Sequence, residues 1–440
     1  MIGSGVLSRN PAVAADHDPV RIATFLCLIG FAVFTQLDAV ANRLSAGSPI
    51  SLVELSLGGT IAGTLALLAG GRQATGGARG DDRGLRLMLM LFCWTVFAWA
   101  LSAHRAEGLL YLVKLATAIA PALCVLVIVD RVAQLRMLLW SMIVAGAVSG
   151  VIVLIEARTG TRLVATSLAA TTADFDGVAR SSGGSDMNPT TAAQMVMVST
   201  ILAMAWLFAG ERAGRTVLLG ATLIGGIALA LMSARSAIVG VAAAVGLLLL
   251  SLRHDRRFPL ILIAAVVVGV AGLLLAPPVL IDRFAAIGDF AQDQTLYRRI
   301  TYLRIGADLL QSSPIWGIGP GNFPSYYVGD AYRYMPGRVV MPRELHNSFL
   351  DTAVEYGIVG FGISAAIVGH AIGRARRAFA PGGSPVLARA GFAIVLALAG
   401  LLVACFFMPH KNMRYLWLLI ALAIQCGRLR DTDDRTGAVA

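Results

Sequence analysis

The chain has 440 residues, 57% of them hydrophobic and only 14% charged, with a mean hydropathy of +0.75. A soluble domain carries about a quarter charged residues, so this composition excludes an ordinary water-soluble protein. The formal net charge of +11 would suit a nucleic-acid binder, but the positive residues punctuate the links between apolar runs, which argues for a bilayer and against nucleic acid.

The first 20 residues are polar and lack the shape of a cleavable signal peptide, so the first apolar run is expected to stay as an anchor. About twelve apolar stretches of roughly 18–22 residues follow, the length that a hydrocarbon core of roughly 30 Å demands. They run over 21–40, 49–70, 85–103, 108–129, 135–156, 190–210, 215–233, 236–252, 258–276, 347–371, 387–408 and 413–427. Too few segments alternate with period 2 for a barrel, so the spans are expected to be helical. The expected fold is an all-α polytopic membrane protein with a large folded loop before the tenth span. Its parts are a tail (1–20), nine spans (21–276), the loop (277–346), three spans (347–427) and a second tail (428–440).

With the N-terminus inside, Arg72, Arg79, Arg83, Arg253, Arg256, Arg257, Arg374, Arg376 and Arg377 fall on the cytoplasmic side. That is the positive-inside pattern, and it makes both termini cytoplasmic. The lysines are Lys114 and Lys411, so nearly all the positive charge is arginine, which reads as a compositional bias. Cys27, Cys93, Cys124, Cys405 and Cys426 lie in or beside spans, which gives neither a disulfide framework nor a metal site. No internal repeat is visible.

Two connections are long, and both fall outside. The first, 157–189, contains GVARSSGGSDMNPTTAAQ. The second, 277–346, holds Phe284, Tyr297, Tyr302, Trp316, Phe323, Tyr326 and Tyr327, too many aromatics for a disordered linker. Within it YRRITYLRIGADLL reads as a helix with two apolar stripes: Ile300, Leu303, Ala307 and Leu310 on one, Tyr302, Ile305 and Leu309 on the other. Such a helix is expected to pack between the membrane surface and other protein. SPIWGIGPGNF then supplies a glycine-rich turn.

Arg180, Asn188, Arg235, Arg298, Arg299, Arg304, Arg343 and His346 all fall at the external interface. Guanidinium groups bind phosphate bidentately and keep their charge, so arginines converging there would make an anion site. The alternative for any one of them is a solvated loop residue or a headgroup contact, and Arg299 reads that way. Arg235 reads as functional, because ALMSARSAIVG is a very short hairpin close to the bilayer, where charge is costly. A lone histidine is more often structural, and His104, His254, His370 and His410 are read so. Glu355, Lys114, Glu54 and Asp38 fall inside spans and read as structural, with Glu54 and Lys114 a possible pair and Glu355 either bonded to the loop above or holding its helix in place.

The pattern His346-Asn347-x2-Leu350-x4-Glu355-x-Gly357-x2-Gly360 closely resembles the signature of the O-antigen ligase and Wzy-type polysaccharide polymerase superfamily. Arg180 followed by Asn188-Pro189 looks like that superfamily's Arg…Asn-Pro segment, and Ser233-Ala234-Arg235-Ser236 like its Ser-Arg hairpin. Tyr297-Arg298 and the later run from Pro314 to Phe323 look like its external-loop segment. Order and spacing match across roughly 170–360, whereas the first 150 residues match in hydropathy alone. One departure is Thr190-Thr191, where another Asn often follows the Asn-Pro pair.

The resemblance implies a C-type glycosyltransferase architecture in the bacterial inner membrane, with its site facing the periplasm. It implies a glycan donor linked to undecaprenyl diphosphate, and a glycan or lipid A core as acceptor. It implies His346 as the base that takes the acceptor's proton, or as a group that only orients acceptor or diphosphate, with attack opposite the leaving group and inversion. Arg235, Arg298 and Arg180 would hold the diphosphate without a metal or other cofactor, and Asn347, Glu355, Arg343, Glu344 and Asn188 would support them. Ligase, polymerase and protein O-oligosaccharyltransferase all share these motifs. A flippase of lipid-linked sugars and a non-enzymatic scaffold are the competing classes. A flippase would spread charge along the interior of many spans, and a scaffold would not need His346.

Overall fold

The structure is a computed structural model that describes residues 18–70, 83–164, 180–212, 214–256, 294–338 and 341–437, with scattered positions from 258 to 281. The N-terminal tail, Arg72, Arg79, Arg257, Phe284 and most of the expected ninth span (258–276) lie outside the described residues.

Helix α1 (Pro19–Gln36) leads through the short α2 (Asp38–Leu44) into α3 (Leu52–Ala69). Then come α4 (Arg83–Ala100), α5 (Arg105–Ile128) and α6 (Val132–Thr159). After the first long connection follow α7 (Pro189–Phe208), α8 (Arg215–Leu231) and α9 (Arg235–Leu252). The large loop contains α10 (Gln294–Ser312) and α11 (Phe323–Val328), and α12 (Ser348–Ala378), α13 (Pro385–Ala404) and α14 (Arg414–Gly437) complete the chain. Among the described residues nine helices are long and apolar enough to cross a membrane: α1, α3, α4, α5, α6, α7, α9, α12 and α13. The chain is a multi-pass membrane protein. Helix α8 is apolar but shorter. Where a twelfth span was expected, α14 begins as a core helix, with every residue from 415 to 427 buried.

Helix α7 is the hub. Its span is 89% buried, against α6, α8, α9 and α13. In a bilayer no hydrophobic force drives helix against helix, so buried polar contacts help to fix the register. The Gln36 amide donates to Ser199 Oγ (2.8 Å) and to the Met195 carbonyl (3.0 Å), and Ser199 donates to the Met142 carbonyl (2.8 Å), tying α1, α6 and α7. Ion pairs close the opposite end of the bundle. Arg21 meets Asp130 at 2.5 Å, Glu211 takes Arg136 and Arg389, and Arg374 meets Asp431 at 2.6 Å.

The loop has its own small core of Tyr302, Ile305, Leu309, Ile318, Phe323, Tyr327, Leu345 and Val354. One of the two stripes expected on α10 thus packs inward. On the other stripe Leu303 is 43% exposed.

Helix α12 is not continuous. Gly357 has φ +69° and ψ 178°, which breaks the helical ladder in its third turn. The run Pro314–Gly321 fills the gap like a short strand. Ile318 N–H donates to the Val354 carbonyl (2.9 Å), Gly319 N–H to the Glu355 carbonyl (3.0 Å), and Ile358 N–H to the Pro314 carbonyl (2.8 Å). Trp94 Nε1–H caps the Tyr356 carbonyl at 2.7 Å. The backbone groups freed by the break are thereby paired, as membrane depth requires.

Asn347 and Asn188 are helix caps. Asn347 Oδ1 accepts from Phe349 N–H (3.0 Å) and Leu350 N–H (3.1 Å) at the start of α12. Asn188 Oδ1 accepts from Thr190 N–H (2.9 Å), with Pro189 at the first helical position of α7. Asn347→Ala is expected to cost about 1 kcal/mol, the usual worth of such a cap, and a lowered thermal midpoint in detergent would register it.

Candidate active site

One end of the bundle gathers the C-terminus of α1, the N-termini of α3, α5, α7, α9, α12 and α14, and the large loop. Two features occupy it: a cluster around His346 and a cavity beside it.

His346 lies in the turn before α12, half-buried, its ring stacked on Tyr302 of α10 at 5.3 Å between centroids and 19° between planes. Its Nδ1 is 2.8 Å from the Glu344 carbonyl oxygen. A carbonyl can only accept, so Nδ1 carries the proton, and in the neutral ring Nε2 keeps the free lone pair. Burial pulls the His346 pKa below the ordinary histidine value. The carbonyl bond opposes that shift, and the charges of Arg299 and Arg343 reinforce it.

The charges of Arg298 and Arg343 act on the Tyr302 phenol, and those of Arg299 and Arg343 on His346. Arg299, read as a solvated loop residue, instead lies 5.6 Å over the Phe407 ring, in the link between α13 and α14. Arg180 lies in the connection before α7, and Arg235 at the start of α9. Arg180 is 7% exposed, with its guanidinium 3.4 Å from the Thr190 hydroxyl. Arg235 opens α9 and is half-buried.

The cavity holds about 490 Å³. Glu344 lines it and accepts from the Tyr111 hydroxyl at 2.9 Å. At its base Lys411 bridges Asp351 (2.6 Å) and Glu355 (2.5 Å). Glu355 also accepts from Gly321 N–H (2.6 Å) and Phe323 N–H (3.3 Å), which fastens the glycine-rich turn onto α12. Burial disfavours the charged form of Lys411, but the two carboxylates outweigh it and raise its pKa, so the ammonium stays charged. Glu54 and Lys114 line the cavity without pairing. Glu54 sits at the third position of α3, and its carboxylate turns back to accept from Ser51 N–H (3.0 Å), while Lys114 lies 4.4 Å over the Tyr111 ring.

A buried polar chain links the segments that carry the motifs. His410 donates to the Gln194 amide oxygen, and the Gln194 amide donates to Ser236 Oγ (2.8 Å). His410 N–H donates to Ser348 Oγ (2.7 Å). Helices α7, α9 and α12 are thus joined through the α13–α14 link. Burial pushes the His410 pKa down to about 3, so it stays neutral. Sequence reading took His410 as structural without seeing its partners, and missed Gln194 and Lys411. The available signal was a lysine and a histidine side by side in Met-Pro-His-Lys, between two apolar runs. Among the described residues no group of three His, Cys, Asp or Glu side chains is arranged to hold a metal ion.

Residues 220–365 match the family model described as O-antigen ligase. That stretch runs from α8 into α12 and carries Arg235, Arg298, Arg343, Glu344, His346 and Glu355. Through this segment the chain is similar to the O-antigen ligase family. The general activity this implies is membrane-bound glycan transfer, with a lipid-linked glycan and an acceptor as substrates. No curated protein matches the chain.

A neutral imidazole at His346 would have a consequence for pH if it takes part in transfer. Because the fold holds its pKa below the ordinary value of about 6.5, transfer is expected to stay level between pH 7 and 8 and to fall only in more acidic solution. Removing one repelling charge by Arg343→Gln should raise the His346 pKa and move the acid limb to higher pH. Initial rates across a pH series for both proteins check this.

Proposed function

We propose that this protein transfers or polymerises a glycan carried on undecaprenyl diphosphate, at the periplasmic face of the bacterial inner membrane. The observation that carries the reading is His346, neutral and stacked on Tyr302, with Nε2 as its free lone pair and arginines around it. The acceptor hydroxyl oxygen attacks the anomeric carbon and its proton passes to Nε2. The bond between that carbon and the diphosphate oxygen breaks, and the leaving group departs with the electron pair. Fixed guanidinium groups favour the transition state, where this charge is growing, over the ground state. Arg235 and Arg298 are the first candidates for that task, with Arg180 third. Attack opposite the leaving group inverts the anomeric centre.

The flippase reading is weaker, because the buried charged groups sit at helix ends. Arg21–Asp130 and the Glu211 pairs lie at one end, and Lys411 with its carboxylates at the other.

The test uses the purified chain in nanodiscs with a defined undecaprenyl-diphosphate oligosaccharide, and lipid A core or no further acceptor, with and without chelator. Transfer to lipid A core identifies a ligase, and elongation of the donor alone a polymerase. Loss of product in Arg298→Ala with chelator-insensitive wild-type turnover supports the mechanism. A wild type that leaves the donor intact with both acceptors, or a metal requirement, overturns it.

A further inference from the structure

Three elements carry the candidate groups: α9 with Arg235, the turn before α12 with His346, and α10 with Arg298 and Arg299. The α13–α14 link, residues 405–413, touches all three. Toward α12 it makes three bonds to one residue. Ser348 N–H donates to the Cys405 carbonyl (2.8 Å), the Ser348 hydroxyl to the Met408 carbonyl (2.5 Å), and His410 N–H to Ser348 Oγ (2.7 Å). Ser348 opens α12, two residues past His346. Toward α10, the Phe407 ring lies beneath Arg299. Toward α9, the His410 ring donates to the Gln194 amide oxygen, and the Gln194 amide to Ser236 Oγ, on the residue after Arg235. Gln194 and His410 are fully buried and Ser236 nearly so, which shuts all three away from any substrate.

Arg235 is fixed from the other side too. Ser233 has φ +50°, the one non-glycine residue with positive φ among the described residues. A non-glycine residue keeps that conformation only where its surroundings over-determine it. Ser233 is buried, in the hairpin between α8 and α9. The backbone at Arg235 is thus set upstream by a strained turn and downstream by the bond to Gln194. Buried polar contacts that only glue helices together could fall anywhere along a span. Here they meet on either side of one arginine, and their far end is tied to the segment that carries the histidine.

We propose that Gln194, Ser236 and His410 are positioning residues, through which the α13–α14 link holds the start of α9, and Arg235 with it, in register with His346. The catalytic value of that register rests on the transfer reading; the mechanical coupling does not. Burial keeps His410 neutral, so the coupling does not switch with pH in the working range. A fixed charge stabilises a transition state without reorganisation only while its support is held. A displacement of about 1 Å can cost roughly a hundredfold in rate.

The test replaces the whole chain by apolar groups, with Gln194→Met, His410→Phe and Ser236→Ala together. None of the three polar groups is then stranded, and such a replacement is nearly neutral for stability. Hydrogen exchange on the full chain in nanodiscs, read by mass spectrometry, follows the coupling. Exchange should quicken several-fold over 232–238 in the triple variant and stay at the wild-type rate over 131–137, at the opposite end of the bundle. Ser236→Ala alone, which cuts the last bond, should give the same pattern in smaller size. Transfer kinetics follow the function. In the triple variant kcat should fall roughly 10–100-fold, with KM for the donor and the thermal midpoint little changed. In an Arg235→Ala background the same three substitutions should lower kcat no further. Unchanged exchange over 232–238 in both variants overturns the coupling. A loss of rate that is as large in the Arg235→Ala background, or that follows the thermal midpoint, overturns the positioning role. A wild type with no transfer sinks the transfer reading, and exchange alone then decides the coupling.

Discussion

His346→Ala is expected to lower glycan transfer by about 10²–10⁴-fold, the usual worth of a positioned general base. The loss should fall on kcat rather than on KM for the lipid-linked donor, because the arginines that would hold the diphosphate remain. His346 is half-buried in a turn and not in the main bundle core, so its loss should leave the thermal midpoint nearly unchanged. Single-turnover measurements on the variant check this against a melting curve. A rate equal to wild type removes the base assignment. His346→Gln is the informative companion, since glutamine can donate to the Glu344 carbonyl but cannot take a proton. If His346 only orients substrate, glutamine should restore much of the rate. If it is the base, glutamine should behave like alanine.

Lys411→Met is expected to have the largest effect on stability, about 3–5 kcal/mol, because removing one partner of a buried pair leaves an uncompensated charge. The side chains of Asp351 and Glu355 are 4% and 2% exposed, and both depend on this one ammonium. The damage should spread, since Glu355 also holds the amides of Gly321 and Phe323. Limited proteolysis within 313–347 should accelerate in Lys411→Met, together with a fall in thermal midpoint. Adding Asp351→Asn should recover part of the loss, by cutting the stranded negative charge. If Lys411→Met alone melts like wild type, the ammonium is not what holds the turn to α12.

Much of the architecture is visible in the chain because membrane helices declare themselves by length and hydropathy alone. The nine apolar helices and the folded nature of 294–346 follow from that and from aromatic content. The stripe of Tyr302, Ile305 and Leu309 gave the inward face of α10 through its helical spacing. The cavity was not visible, because its wall is assembled from positions between Thr35 and Tyr415, each unremarkable in its own segment. The buried chain through His410, Gln194 and Ser236 was hidden for the same reason: its members are far apart in sequence. The pairing of Glu54 with Lys114 looked plausible by charge, but a carboxylate at the third helical position has a nearer backbone partner.

The way the glycine-rich run sits in the gap of α12 divides the loop into a fixed part and a free part. Its seat is made by main-chain bonds and by the absence of β-carbons: a Cβ on Gly357 would lie 1.9 Å from the Ile315 carbonyl oxygen, and one on Gly317 would lie 2.5 Å from the Glu355 backbone. Both glycines also have positive φ, so substitution there is doubly penalised. Just before Gly317, Ile315 and Trp316 are 50% and 43% exposed and take no part in the seat through their side chains. The chain can therefore exchange the surface these two residues present without disturbing how the loop is anchored. The backbone works as a socket, and the side chains above it are the replaceable fitting.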